Sequence, residues 1–431
     1  MTPTAPAGPA APGAAETARR SDDDRTPAGP LFVVLYTLAI FGVWMAINLP
    51  ATVTVALRVS VLDPENQTTS YSIIAGVGAL VAVIANPVFG RLSDRTRSRW
   101  GRRRPWIVVG LLGTTAGAAL IALTSSLTLL VAGWMIMQCF VNAAVAGMLA
   151  IVADRFPERQ HGLLGSISGA TVTASVMVGT YFIDLFPTQI LPQIGLPVAL
   201  ALVTCALLLP VMKEDDTRAE QPQPFGLKDL LGSFAINPRK SPDFAWFLVA
   251  LFLMSISTVG LSTYHVYYMQ NQLGIPAGRL PHILVIWSLL NGLASLVGAP
   301  LGGWLTDRLN RRKPVFAASA VIGAVSVVII VISHSINVFL IGSTVEGLSY
   351  GILMGMYFAF ATATMNDKST IARDLGVTNI AVTLPFSLVP FLAPFVLRIG
   401  GHGDNYPLLF ILGGAVGLLS LPFLLKIRAT R

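Results

Sequence analysis

Between Lys313 and Asp367 the chain carries a single Asp, Glu, Lys or Arg, and that residue is Glu346. It lies ten residues into an apolar stretch that begins near Ile336. At ~1.5 Å per residue this is about 15 Å, half of the ~30 Å hydrocarbon core of a bilayer. A charge at that depth costs at least ~2.5 kcal/mol on insertion scales, so an acid kept there is a functional candidate by default. Its chemistry would be to bind and release a proton, or to hold a polar solute. The plainer reading is a neutral carboxyl bonded to a neighbouring helix. Other chemistry is poorly supplied. His161, His265, His282, His334 and His402 form no metal-ligand spacing, and Cys139 and Cys205 sit inside apolar stretches as packing residues. No nucleophile and base stand in a catalytic pattern, and no G-x-x-x-x-G-K-[ST] phosphate loop is present. The sequence points away from an enzyme and from any cofactor, and work done by the chain has to draw on an ion or solute gradient.

The elements that position Glu346 are written in the composition. The 431 residues are 54% hydrophobic and 12% charged, and twelve apolar stretches are long enough to cross a bilayer. They run at about 31–57, 70–90, 106–124, 127–152, 163–186, 190–212, 244–270, 281–303, 314–333, 336–363, 375–398 and 405–426. The expected class is an all-α membrane protein with twelve transmembrane helices. The net charge of +8 does not mark a nucleic-acid partner, because the basic residues fall in short loops. With the N-terminus in the cytoplasm, all of the 29 Lys and Arg except Arg58, Arg279 and Arg398 lie on the inner side. The positive-inside rule then predicts a multi-pass protein of the cytoplasmic (inner) membrane with both termini cytoplasmic. Tyr264, His265, Tyr267 and Tyr268, near the outer end of the seventh stretch, read as an interfacial aromatic belt, with an outer gate or proton relay as the alternative.

Composition also divides the chain. Residues 1–30 mix Pro, Ala, Gly and charges as a disordered cytoplasmic tail, with no removable signal segment ahead of the first stretch. Residues 31–212 and 244–427 are the two six-helix bundles, and 428–431 is a short cytoplasmic tail. The linker 213–243 holds Leu227, Leu230, Leu231 and Phe234 at i, i+3, i+4 and i+7, which predicts an amphipathic helix on the membrane surface. The halves repeat: Asp94 and Asp307, Asp154 and Asp367, and the starts at Leu31 and Phe244 are each 213 residues apart. Two six-helix halves related by an axis along the membrane normal produce this pattern.

The loop after the second stretch reads GRLSDRTRSRWGRRRP over 90–105, and GGWLTDR over 302–308 is its counterpart. Gly90 lets the helix approach a neighbour closely, and Asp94 can pair with nearby guanidinium groups in a network that breaks as the halves rock. A pure topology anchor is the alternative. Gly90, Asp94, Arg95, Gly101, Arg102 and Arg103 resemble the signature of the major facilitator superfamily, with a degenerate copy in the second half. The likeness covers about 31–427. SDRTRSRWGRRRP is similar, more narrowly, to the loop of proton-coupled sucrose and glycoside transporters. The chain departs from those in lacking an acid in its first stretch and an Arg in its fourth before Asp154.

The resemblance implies a major facilitator fold working by alternating access. Gly90, Asp94, Arg95, Arg102, Arg103, Asp154, Gly303, Asp307 and Arg308 would form its gating network. It also implies that the first, fourth, seventh and tenth helices line a central cavity. Trp134, Gln138 and Asn142 follow one another at i, i+4 and i+8, Tyr350 and Tyr357 continue the face of Glu346, and Trp44 and Asn48 are one turn apart. Amides both donate to and accept from hydroxyls while an aromatic face covers a sugar ring, so these residues are the candidate solute contacts and Glu346 the proton-coupling acid. The expected function is proton-coupled import of a sugar or glycoside by a monomer among membrane lipids. The alternatives are proton-antiport export of an amphipathic compound or antibiotic and, from another class, a non-transporting sensor. Trp287, Asn291 and Asn379 are polar residues without an assigned task.

Overall fold

The computed structural model describes residues 27–212, 214, 216–218, 241–365, 371–400 and 403–428. Most of the expected N-terminal tail, the expected surface helix at Leu227 to Phe234, and Asp367 lie outside the described residues.

Twelve helical spans follow in order among the described residues. They are α1 (Pro30–Leu62), α2 (Gln67–Asp94), α3 (Arg104–Leu123), α4 (Leu127–Arg155), α5 (Glu158–Leu185) and α6 (Ile190–Leu208), then α7 (Pro242–Gln272), α8 (Leu280–Leu309), α9 (Lys313–Val331), α10 (Ile336–Thr364), α11 (Ile371–Thr383 continued by Pro385–Leu397) and α12 (Tyr406–Lys426). No strand occurs among the described residues. Helices satisfy their own backbone groups, which hydrocarbon requires. Several carry a proline at their first or second position, where no donor is needed, among them α1, α3, α8 and α9. Pro87 and Pro300 sit inside α2 and α8, at matching points of the repeat. α1 runs past the charged residue that ended the apolar stretch, because the Arg58 guanidinium donates to the carbonyl of Thr124 at the end of α3. α1 and α7 each contain a π-helical turn, Pro50–Thr54 and Tyr268–Gln272, a local widening of the helix often found at functional sites.

The first half packs α3 on α4, α2 on α4, and α1 on α5 and α6; the second packs α8 and α9 on α10, and α7 on α12. The tightest seam is α8 on α10. A Cβ at Gly347, Gly351 or Gly355 would stand 2.3, 2.3 and 1.8 Å from the carbonyl oxygens of Asn291, Ser295 and Ala299. A small-residue stripe at i, i+4, i+8 brings the two backbones into contact, as membrane helices require when no water drives them together. Between the halves the principal seams are α2 with α11 and α5 with α8.

Candidate functional site

The α8–α10 seam fixes the surroundings of Glu346. Gly347 seats α10 on the backbone of Asn291, and the Asn291 Nδ2 donates to Glu346 Oε2 at 2.8 Å and to the Ser343 carbonyl at 2.8 Å. The acid is therefore met by a neutral amide, with the hydroxyl of buried Ser343 beside it unpartnered among the described residues. At ~100° per residue, Tyr350 and Tyr357 fall within about 40° of Glu346 on α10. Thr344, Val345 and Leu348 line an apolar groove with Leu290, Leu293 and Val297 on another face of the seam, so α10 presents its polar stripe and its lipid-like stripe on different sides. Asn291 was left without a task by the sequence; its position four residues after Trp287 carried no sign of which helix it faced.

The other candidate solute contacts are dispersed. On α1, Asn48 donates from Nδ2 to Ser175 Oγ of α5 at 3.0 Å, while the Trp44 indole nitrogen one turn away is buried and, among the described residues, unpartnered. On α4, Trp134 is buried against α2, where a Cβ at Gly78 would lie 2.1 Å from its Nε1. Gln138 is buried, and Asn142 donates to the Gln138 carbonyl at 2.8 Å and accepts from Asn86 of α2 at 3.3 Å. No hydrogen bond among the described residues joins this α4 group to Glu346.

The arginine-rich loop is organised around Arg103. Its Nη1 lies 2.7 Å from Asp94 Oδ1 and its Nε 2.7 Å from Asp154 Oδ2. Burial works against its charge, and the two carboxylates outweigh that, so the guanidinium is held above its ordinary range. Both partners belong to the first half. Arg95 and Arg102 flank this arrangement in the same loop. A Cβ at Gly90 would meet nothing within 4 Å, so the close approach expected there is not made in this conformation. Gly303 lies on the α8–α10 seam with Gly355, and Arg308 covers the Trp304 ring at 5.0 Å beside exposed Asp307. The loop is also bolted to the chain after α6. Gly101 adopts φ +89°, and a Cβ there would strike Glu214, whose Oε2 accepts the Arg103 N–H at 3.0 Å. Burial raises the Glu214 carboxyl, and the N–H groups of Arg103 and Arg104 partly offset this.

The tyrosine cluster is not an interfacial belt. Tyr264, Tyr267 and Tyr268 are fully buried, and two of them cross between the halves. The Tyr264 hydroxyl lies 2.6 Å from Ser72 Oγ, and Tyr267 donates to the Ala56 carbonyl at 3.0 Å. Tyr71 packs edge-on against both rings and donates to the Ala51 carbonyl in the π-turn of α1. Thr68 bonds Asp404 and Tyr406, Gln67 bonds Asn271, Thr180 bonds Ser288, and Asp184 meets His282 at 3.3 Å. All seven of these pairs between described residues lie toward the end opposite the arginine-rich loop. The reading of these aromatics as a belt failed because their burial is made by the other half of the molecule. The Tyr264 and Tyr267 hydroxyls instead join the two halves at this end.

Comparison with known proteins agrees with this architecture. The chain matches the Major Facilitator Superfamily over residues 31–294 and 285–431. Among curated proteins it is 30% identical over 153 residues to the class E tetracycline resistance protein of Escherichia coli, covering 35% of this chain and 36% of that one. It is 34% identical over 101 residues to a human membrane-associated transporter protein, covering 21% and 18%. The chain thus spans about a third or less of the curated relatives it matches. Among solved structures, the nucleoside transporter NupG superposes with a TM-score of 0.70 at 12% identity, covering 92% of this chain and 99% of that one. The human organic anion transporter MFSD10 gives 0.67 at 14%, covering 92% and 100%. With twelve spans among the described residues and the family's match running from residue 31 to the C-terminus, the protein belongs to the Major Facilitator Superfamily and is a multi-pass membrane protein.

Proposed function

We propose that this transporter imports a small polar solute, a sugar or glycoside, together with protons, and that Glu346 is the coupling acid. The observation that carries the reading is the setting of Glu346. It is the one acid at mid-depth of its span, held by the neutral amide of Asn291 rather than by a cation. A carboxyl so placed can lose and regain a proton without breaking a salt bridge, which is what coupling to a proton gradient needs. The tyrosines and amides that accompany it suit hydroxyl-bearing solutes. The positive-inside distribution supports an orientation with both termini and the arginine-rich loop in the cytoplasm. The seven cross-half pairs then close the outer side, and Arg103 with Asp94 and Asp154 forms the network that rearranges when the inner side closes. A monomer in contact with lipid suffices for this cycle.

A second reading is favoured by one observation. The tetracycline resistance proteins of classes E and C match 35% of the chain at 30% identity, which supports export of an amphipathic compound by proton antiport. Both readings use the same acid. Reconstituted protein facing an inward proton gradient decides between them when offered labelled glucose, galactose, sucrose, maltose and methyl glucoside. Gradient-driven uptake that Glu346→Gln abolishes is the expected result. Absence of uptake for all five, with tetracycline moved against the proton flow, would replace import by export.

A further inference from the structure

A buried titratable residue that the proposed cycle has not used adjoins the cross-half lock. His265, on α7, is 1% exposed. Its Nδ1 lies 2.7 Å from the Ser262 carbonyl oxygen. A carbonyl only accepts, so in the neutral ring Nδ1 carries the hydrogen and Nε2 presents its lone pair. That Nε2 is buried and has no hydrogen-bond partner among the described residues. The ring stacks on Trp287 of α8, with centroids 4.0 Å apart and planes 16° from parallel. Trp287 precedes Asn291 by one turn, about 6 Å along the helix, and Asn291 holds Glu346. On the other side, the residues next to His265 and Trp287 belong to the lock: Tyr264 bonds Ser72, and Ser288 bonds Thr180.

A buried acceptor with nothing to accept is costly unless it has another task. The stack on Trp287 provides for one, since an indole face attracts a cation and so tolerates a charged imidazole. We propose that His265 is a second proton-binding site, receiving the proton when the tyrosine gate opens and passing it to Glu346. This rests on the proton-coupled reading above. When α7 parts from α2, water reaches Nε2 and a hydronium ion gives its proton to the ring lone pair, leaving water and an imidazolium. The Nε2–H bond then breaks, and the proton passes to a carboxylate oxygen of Glu346, leaving a neutral ring and a neutral carboxyl. The other titratable and charged groups around the path are Tyr264, Tyr267 and Tyr268 on α7, Tyr71 on α2, and Asp404 and Tyr406 at the start of α12. His282 of α8, Asp184 of α5 and, beside Glu346 on α10, Tyr350 belong to the same set. Asp404 is engaged by Thr68 and Tyr406, and Asp184 by His282.

Trp287 supplies the readout, because an imidazolium stacked on an indole quenches its emission. Full-length protein in lipid nanodiscs is titrated from about pH 8 to about pH 4, and the difference between wild type and Trp287→Phe isolates this tryptophan. The expected result is a loss of about half or more of the Trp287 emission on acidification, absent from His265→Gln and from His265→Asn. Gln offers an acceptor near the Nε2 position, and Asn keeps the donor to Ser262, but neither titrates. An unchanged titration in both well-folded variants overturns the proposal. For a sugar that wild type accumulates, His265→Gln is expected to keep counterflow and lose gradient-driven uptake about tenfold, and full retention of that uptake also overturns it. Failure of the coupling reading is seen separately, as a wild type that ignores the proton gradient.

Discussion

The Tyr264–Ser72 contact makes a prediction with a built-in asymmetry. Ser72 has one hydroxyl hydrogen, and it is committed to the Thr68 carbonyl at 2.6 Å; the Tyr264 hydroxyl must therefore donate the 2.6 Å bond to Ser72. Tyr264→Phe removes that donor and leaves Ser72 still donating to the Thr68 carbonyl. Side-chain hydrogen bonds in membrane proteins average ~0.6 kcal/mol and reach ~1.7, so the closed arrangement loses about that much, a factor of ~3 to ~15 in population at ~1.4 kcal/mol per tenfold. Ser72→Ala instead strands a buried tyrosine hydroxyl and costs more, about 1–3 kcal/mol. The double variant then resembles Tyr264→Phe alone, because no donor remains to be stranded. The assay is an electron–electron distance distribution between spin labels at Glu65→Cys and Arg279→Cys, two exposed positions in different halves at this end, with Cys139 and Cys205 replaced. The longer-distance population should grow in the order wild type, Tyr264→Phe, Ser72→Ala. Equal effects of the two single variants, or a distribution that none of them moves, would refute the assigned direction of the bond and the role of this contact as a latch.

Other substitutions test separate parts of the structure. Gly351→Ala puts a Cβ only 2.3 Å from Ser295 O; we expect a loss of about 1–3 kcal/mol or more, read as a lowered midpoint in detergent melts, whereas Gly90→Ala, with nothing within 4 Å, leaves the melt unchanged. Arg103→Ala strips Asp94 and Asp154 of their shared partner; the expected effect is a slowed transport cycle with solute binding retained, measured as turnover against equilibrium binding. Glu214 gives a pH test. Burial raises its carboxyl, so the folded protein holds that proton more tightly than the unfolded chain, and its share of stability declines as pH rises from the unfolded value of ~4.3 through the raised one. Glu214→Gln should flatten that decline in a melting series across pH 4 to 8, and an unchanged slope would show that Glu214 does not titrate with folding.

How much of this was legible in one sequence follows from the physics of each feature. Span number and approximate position were readable because hydrocarbon imposes a length on every apolar helix. The ends were less so: α1 and α8 continue past their apolar stretches to Leu62 and Leu309, carrying charged residues out of the hydrocarbon. Glu346 was readable because a lone acid in an apolar stretch is rare. Its partner was not, since the meeting of Asn291 with Glu346 depends on the Gly347 contact between two helices. The tyrosines of α7 mislead for a similar reason. A position near a helix end suggests an interface, yet α2 and α1 of the other half cover these rings and take up their hydroxyls. Trp134 was grouped with Gln138 and Asn142 by spacing, and its indole packs on Gly78 of α2, a neighbour that spacing along α4 does not record.

The central claim is that solute and proton move together through Glu346. The direct measurement is the external pH of a weakly buffered suspension of proteoliposomes when a transported sugar is added without any imposed gradient. Symport predicts a transient alkalinisation in wild type and none in Glu346→Gln, although the variant still exchanges labelled for unlabelled sugar. An acidification, or sugar entry with no pH change, would contradict the account.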